Sequence, residues 1–326
     1  MRSLLALTLV AFVFVGCEAA LDAPTGDLTL ETRDALAVLP ADAAFAGMMN
    51  FRAMQSSAAV QRATGNQFGV DALEGESKAR FDEFVRLTGF NPEEDLDRAY
   101  FAVTRADQHD HPAFVVYADF DRARLDAYID DNADADLRRT TYNDLPVYLT
   151  TEDGDTFGFA LVNDEMLVAA QESTLHAMLD RVASGQGGLQ SDAAMMRLIE
   201  RAAHPDDAWF AVRGLDQRST DDAHDHSLSG LVEASGQLAE AVISIGFESD
   251  GIDMQMAGIP RAGASGGDLA DLIRGSIAAM RATSSDEPEV YEMLDGIRVR
   301  ESGDAVTVSA FVDADVLAQM RDQDYD

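Results

Sequence analysis

Cysteine is almost absent from this chain: there is one, Cys17, in 326 residues. A single thiol excludes an internal disulfide framework and any zinc site built from several cysteines. Lysine is just as scarce. Of the 24 basic residues Lys78 alone is lysine and the rest are arginine, against 59 acidic residues and a formal net charge of −35. Nucleic acids are held by clustered cations that displace counterions, so this balance argues against a nucleic-acid partner. A membrane-spanning run is missing too. Leu4 to Val15 is a stretch of twelve uncharged, mostly apolar residues, about 18 Å of helix against a hydrocarbon core of about 30 Å. What remains is ample core material. Hydrophobic residues make up 47% and charged residues 25%, a globular composition in a length that allows one large domain or two ordinary ones.

The N-terminus reads as an address. Met1-Arg2-Ser3 is a short positive start, the apolar run follows, and Phe14-Val15-Gly16-Cys17 closes it. This order is that of an export signal rather than a permanent span. It resembles the bacterial lipoprotein box, in which a small residue precedes the cysteine that is acylated and becomes the new N-terminus; here Phe14 stands where that family usually has leucine. The resemblance implies a signal peptide over 1–16, lipidation of Cys17, membrane lipid as a partner through N-terminal acylation, and a body in the cell envelope facing the periplasm or the exterior. Each acyl chain contributes about 0.8 kcal/mol per buried methylene, so two or three chains form a durable anchor. Residues 17–33, rich in Ala, Asp, Pro, Thr and Gly, read as a tether.

The acids are spread over the whole chain. Self-repulsion at such a charge opposes compactness at low ionic strength, and salt screens it. By analogy with halophilic proteins, the composition is expected to be an adaptation to high salt.

Two internal correspondences point to duplication. Pro40-Ala41-Asp42-Ala43-Ala44-Phe45-Ala46 returns as Pro205-Asp206-Asp207-Ala208-Trp209-Phe210-Ala211. Tyr142-Asn143-Asp144-Leu145, followed by Glu152-Asp153-Gly154-Asp155, returns as Tyr291-Glu292-Met293-Leu294 and Glu301-Ser302-Gly303-Asp304. Strand-like segments such as Ala99–Thr104 with Ala113–Ala118, Val242–Glu248 with Ile252–Ile259, and Ile297–Arg300 with Ala305–Phe311 are joined by short polar turns, which makes the sheets mainly antiparallel. Helical spacing is expected over Arg52–Thr64, Lys78–Leu87, Ser173–Val182, Asp192–Ala202, Ser227–Glu240 and Asp268–Arg281, with N-caps at Ser173 and Asp268. The fold class is therefore α+β: two tandem related repeats, 34–203 and 204–326, each with helices on one face of its sheet. Leu39-Pro40-Ala41-Asp42 and Gly89-Phe90-Asn91-Pro92-Glu93-Glu94-Asp95-Leu96 resemble segments of exported bacterial proteins with tandem α+β repeats, a family to which no chemistry is attached.

Few residues suggest chemistry. Four of the six histidines form two triplets, His109-Asp110-His111 and His224-Asp225-His226. Residues two apart on an extended chain face one side about 6.6 Å apart, close enough to share a divalent metal, with Asp221 and Asp222 near the second triplet. The first triplet is expected at the polar tip of a hairpin, 107–112. Asp130, Asn132, Asp134 and Asp136 match the early positions of a calcium loop, but Ala135 stands where glycine is needed and Thr141 where the bidentate glutamate is needed, so a polar helix end is the better reading. Gly263-Ala264-Ser265-Gly266-Gly267 matches a nucleophile elbow, yet no histidine follows it and the preceding strand belongs to a hairpin. Ser184 to Gly188 lacks the Gly-Lys-Ser/Thr ending of a phosphate loop. Met254 and Met256 alternate on a strand and read as core. These features support first a non-catalytic, lipid-anchored envelope protein that binds or scaffolds an envelope protein partner. A metal-binding lipoprotein using His109, His111, His224 and His226 is the alternative, and a hydrolase of unrecognised type the third.

Overall fold

The computed structural model describes residues 28–64, 75–106, 109–132, 137–152, 154–202, 204–214, 234, 236–284, 288–302 and 305–323. Among them the chain forms two compact units. The N-terminal unit is Leu28–Gln55 with Asn66–Met196; the C-terminal unit is Ser56–Gly65 with Arg197 onward. Residues 56–65 thus fold with the C-terminal unit although both flanking segments belong to the other.

The N-terminal unit opens with α1 (Leu30–Val38), capped by the Thr29 hydroxyl, which accepts from the Thr32 amide. The helix starts inside the stretch expected to be tether. It is pinned by polar contacts: Thr32 and Tyr100 hydroxyls lie 3.0 Å apart, and both the Tyr100 hydroxyl and Arg98 Nη1 donate to Glu31 Oε1 at 3.2 and 3.0 Å. Strands β1 (Phe45–Asn50), β2 (Leu96–Ala106), β3 (His109–Ala118), β4 (Arg138–Tyr142), β5 (Leu145–Glu152), β6 (Asp155–Leu161) and β7 (Met166–Gln171) line up in the order β1-β2-β3-β7-β6-β5-β4, every described pair antiparallel. Between them run α2 (Phe51–Ser56), α4 (Gly75–Thr88), α5 (Pro92–Asp95) and α6 (Arg122–Asn132), and α7 (Glu172–Ser184) and α8 (Ala193–Ile199) follow β7. Helix α7 lies on β6 and β7 and buries Leu175, Met178 and Leu179. It begins at Glu172, not beyond a Ser173 cap, and the preceding Gln171 side chain makes no cap hydrogen bond. It ends where Gly185 turns left-handed, a conformation that glycine adopts without a Cβ penalty.

The C-terminal unit contains α3 (Ala58–Thr64), which packs on α11 (Ala314–Gln323). Strands β8 (Ala208–Arg213), β9 (Leu238–Phe247), β10 (Gly251–Pro260), β11 (Arg298–Ser302) and β12 (Ala305–Asp313) stand in the order β8-β9-β10-β12-β11, again antiparallel. Two helices, α9 (Gly266–Thr283) and α10 (Pro288–Asp295), connect β10 to β11. Leu269, Ile273 and Ile277 of α9 face Met254, Val306, Val308 and Val312 in one buried cluster, to which Met256 adds. The methionines are core. Of the helix expected over Ser227–Glu240, residues 227–233 and 235 lie outside the described residues, and from Leu238 the chain is strand, paired with β10 and, over Glu240–Ile245, with β8.

The fold class is the expected one, and the strand order shows how the repeats are related. In each unit three consecutive strands are followed by a helical crossover and a meander whose last strand pairs with the third: β1-β2-β3-β7-β6 corresponds to β8-β9-β10-β12-β11. The N-terminal unit adds the outer pair β5 and β4. The Pro40 and Pro205 segments both lead into the first strand of their unit. The second sequence correspondence is not shared in structure, since Tyr142–Leu145 turns between β4 and β5 whereas Tyr291–Leu294 lies in α10. Among the described residues no helix is long and apolar enough to cross a membrane.

Candidate functional site

Of the four expected metal ligands, only His109 and His111 lie among the described residues. Pairing in the β2–β3 hairpin continues to its end, Thr104 opposite His111, Arg105 opposite Asp110 and Ala106 opposite His109. The triplet is therefore strand and not the polar tip expected from its composition. Alternation turns Asp110 away from His111, and its Oδ1 accepts from Arg105 Nε at 3.3 Å. His111 Nδ1 is buried with no hydrogen-bond partner among the described residues. His224, His226 and Cys17 lie outside the described residues, as do Asp134 and Asp136. Among the described residues no group of three or more His, Cys, Asp or Glu side chains is placed to hold a metal ion. Asp130 closes helix α6 and accepts from Arg139 Nη1 at 2.9 Å, in keeping with a polar helix end.

Ser265 is not a nucleophile in waiting. Its hydroxyl accepts from the Asp268 amide at 3.3 Å and caps α9, so the cap is Ser265 itself and not Asp268.

The concentration of buried polar groups lies on the other face of the C-terminal sheet, opposite α9. The register fixes its membership: Trp209 faces Ser244, Ser244 faces Gln255, Gln255 faces Ser309, and one row along Asp253 stands between Gly246 and Phe311. Ser244, Asp253, Thr307 and Ser309 are all buried, and Trp209 is fully so. A buried sheet face is ordinarily apolar, since each polar group removed from water must find a partner. Here Trp209 Nε1, Asp253 Oδ1 and Thr307 Oγ1 have none among the described residues.

One pair on this face is well made. His204 Nε2 donates to Asp253 Oδ2 at 2.6 Å, and Gln255 Nε2 donates to the same oxygen at 3.2 Å. The imidazole occupies the space that a side chain on Gly246 would fill: a Cβ built there would fall 2.7 Å from His204 Cε1 and Nδ1. Glycine is required at 246 for a steric reason, to let the ring reach across the strand to the carboxylate opposite. The hydrogen bond to Asp253, set against burial, holds the His204 pKa above the ordinary imidazole value, and the nearby charges of Asp207 and Glu248 add to it. Burial would raise Asp253, but the hydrogen bonds from His204 and Gln255 outweigh it and hold the carboxyl below its usual range. Both shifts favour a charged, coupled pair with His204 Nε2 already committed to the carboxylate.

This pair was hidden in the sequence. His204 stands outside both triplets, and Asp253 becomes conspicuous only as the acidic residue in Ile252-Asp253-Met254-Gln255-Met256, where alternation puts Asp253 and Gln255 opposite the methionines. Its partner across 49 residues requires the strand register.

No protein-family model and no curated protein sequence matches the chain. Among solved structures, TP0453 in crystal form III aligns with a TM-score of 0.50 at 12% identity, over 87% of this chain and 96% of that one. Crystal form IV of TP0453 gives 0.49 at 10% identity, over 90% and 97%. The likeness to crystal form III is one of fold, and it covers both units.

Proposed function

We propose that this chain is a non-catalytic envelope protein, held to a membrane by lipid on Cys17, whose paired α+β units bind or scaffold an envelope partner. The observation that carries this reading is the place of Cys17. The chain's only cysteine ends a short apolar run with a small residue before it, and it precedes a body whose first described residue, Leu28, is already buried. The serine of the one nucleophile motif caps a helix, and the His204–Asp253 pair joins a loop to a strand. Both are structural uses of residues that catalysis would otherwise claim, and they support a body built for binding.

Mass spectrometry of the native protein tests the anchor. The expected species begins at Cys17 and carries a thioether-linked diacylglyceryl group with an acylated amine; Cys17→Ser is expected to leave the membrane fraction. An unmodified thiol at residue 17, or a leader still attached, would refute the reading.

A further inference from the structure

We infer that His204 and Asp253 form a protonation latch, which holds the chain entering the C-terminal unit against the end of β9 and loosens as pH rises. Three contacts converge on residues 246–248. The His204 ring covers Gly246 on its way to Asp253. Three residues on, Asp207 Oδ2 accepts from the Phe247 amide at 3.1 Å, and the turn between them is closed by the Asp207 amide donating to the His204 carbonyl at 3.4 Å. The Ser57 hydroxyl, at the start of α3, donates to the Glu248 carbonyl at 3.1 Å and accepts from the Val60 amide at 3.3 Å. The chain joins the C-terminal unit at two places, Ser56 and Arg197. Both arriving segments, 57–60 and 204–207, are therefore fastened to the same three residues.

Of these fastenings only the His204 contact changes charge near neutral pH. The charged groups facing it are Asp253 from β10, Glu248 from the end of β9 and Asp207 from its own turn; Gln255 is the neutral neighbour that shares the carboxylate. All three charges are negative, so the imidazolium is the form these groups favour. The sign follows. A histidine whose folded pKa exceeds its unfolded value of about 6.5 adds stability that is complete below that value and is lost as pH climbs through the folded one. The latch is tight in mildly acidic solution and slack in alkaline solution. Nε2 still donates to the Asp253 carboxylate after deprotonation, but without the attraction between opposite charges that the imidazolium adds.

Hydrogen exchange on the full chain, followed by mass spectrometry at pH 6 and pH 9 and corrected for intrinsic exchange, reads this directly. Peptides covering 200–208 and 244–249 are expected to lose protection on alkalinisation, while peptides from β12 keep theirs. In His204→Gln those two segments are expected to exchange at the high-pH level at both pH values. Unchanged protection in the native chain, or a pH dependence surviving in His204→Gln, overturns the latch. Should that variant not fold, the titration of the His204 Cε1 proton, assigned by its Overhauser contact with Gly246, decides: a midpoint at or below 6.5 overturns it. Neither outcome bears on the lipid anchor.

Discussion

Replacing Gly246 with alanine isolates the close approach that makes the His204–Asp253 pair. Gly246 lies within β9 and has no left-handed backbone requirement, so an alanine there is conformationally welcome. In an open site it would stabilise the protein by about 0.4–1 kcal/mol, by restricting the unfolded chain. Here the methyl group would sit 2.7 Å from two ring atoms of His204, and the strand behind it is held by β8 and β10. The ring is the part that can move, and moving it breaks the bond to Asp253. Asp253 is 8% exposed, and its carboxylate would keep Gln255 and the Met254 backbone but lose the imidazole. Removing one partner of a buried charged pair costs about 3–5 kcal/mol; His204 retains some contact with water, so about 3 kcal/mol is expected.

The background decides the mechanism. In a His204→Ala chain the clash is gone, and Gly246→Ala is expected to become neutral or stabilising by about 0.5 kcal/mol, a coupling of about 3 kcal/mol between the two sites. Urea denaturation followed by tryptophan fluorescence is the assay. Trp209 is the only tryptophan and is fully buried in the C-terminal unit, so its signal reports that unit while circular dichroism reports both. The midpoint is expected to fall in Gly246→Ala with an unchanged slope. An equal loss in the native and His204→Ala backgrounds would refute the reasoning, because the cost would then reside in the strand and not in the ring.

Three further outcomes are expected. Ser265→Ala removes the cap of α9 and is expected to cost about 1 kcal/mol, with Ser265→Asp restoring it; covalent labelling of Ser265 by a serine-directed phosphonate would contradict the cap assignment. Arg281 donates from both Nε and Nη2 to the Leu294 carbonyl at the end of α10, and Arg281→Lys, which has no planar fork, is expected to cost about 1 kcal/mol in a urea titration; no loss would mean that the carbonyl is equally well served by water. The thermal midpoint is expected to rise between 0.1 M and 1 M sodium chloride, where the screening length falls from about 10 to about 3 Å; a flat or falling midpoint removes self-repulsion as the dominant electrostatic term.

Much of the fold was legible because the apolar pattern and the turns agree. Leu269, Leu272, Ile273 and Ile277 mark α9 by their spacing, and all four lie in or against one core cluster. Asp250-Gly251 and Asn163-Asp164 mark hairpin turns between alternating strands. The elements that escaped notice lack such signals. Strand β4, Arg138–Tyr142, is largely exposed and carries two adjacent arginines, the composition by which edge strands avoid pairing with other chains and by which they also avoid detection. Helix α1 starts in a stretch whose Asp, Pro, Thr and Gly content reads as a linker, yet it buries Ala35, Leu36 and Val38 and is tied down by Glu31 and Thr32. The site was less legible still. Composition drew the eye to eight residues in two histidine-rich segments and their flanking aspartates, while the well-made contact joined a lone histidine to a lone aspartate through a glycine, none unusual until the register of β9 and β10 brings them into one row.

The scarcity of lysine has a structural counterpart in where the arginines go. Several arginine side chains end on main-chain carbonyls. Arg124 donates to the carbonyls of Arg86 and Leu87 at the end of α4, Arg181 to Val38 at the end of α1, Arg281 to Leu294 at the end of α10, and Arg298 to the three carbonyls that precede it, 295–297. Each places positive charge at the negative end of a helix and satisfies acceptors that the helix leaves open. One guanidinium can do this for two carbonyls at once, as Arg124 does from Nε and Nη2, since its donors lie in a fixed plane; an ammonium presents a point charge and three donors on one atom. The described carboxylate pairs, by contrast, are mostly exposed, such as Arg80–Glu76 and Arg274–Asp271, and pairs of that kind contribute little. A chain with 59 acids and 24 bases cannot neutralise itself by pairing. Its few cations act where one side chain closes several backbone groups, and the surplus acid is left to solvent and salt. The same economy explains why the one buried acid–base contact described in the C-terminal sheet uses histidine: it supplies a cation only when protonated, and so makes the fastening of that unit dependent on pH in a way that an arginine at 204 would not.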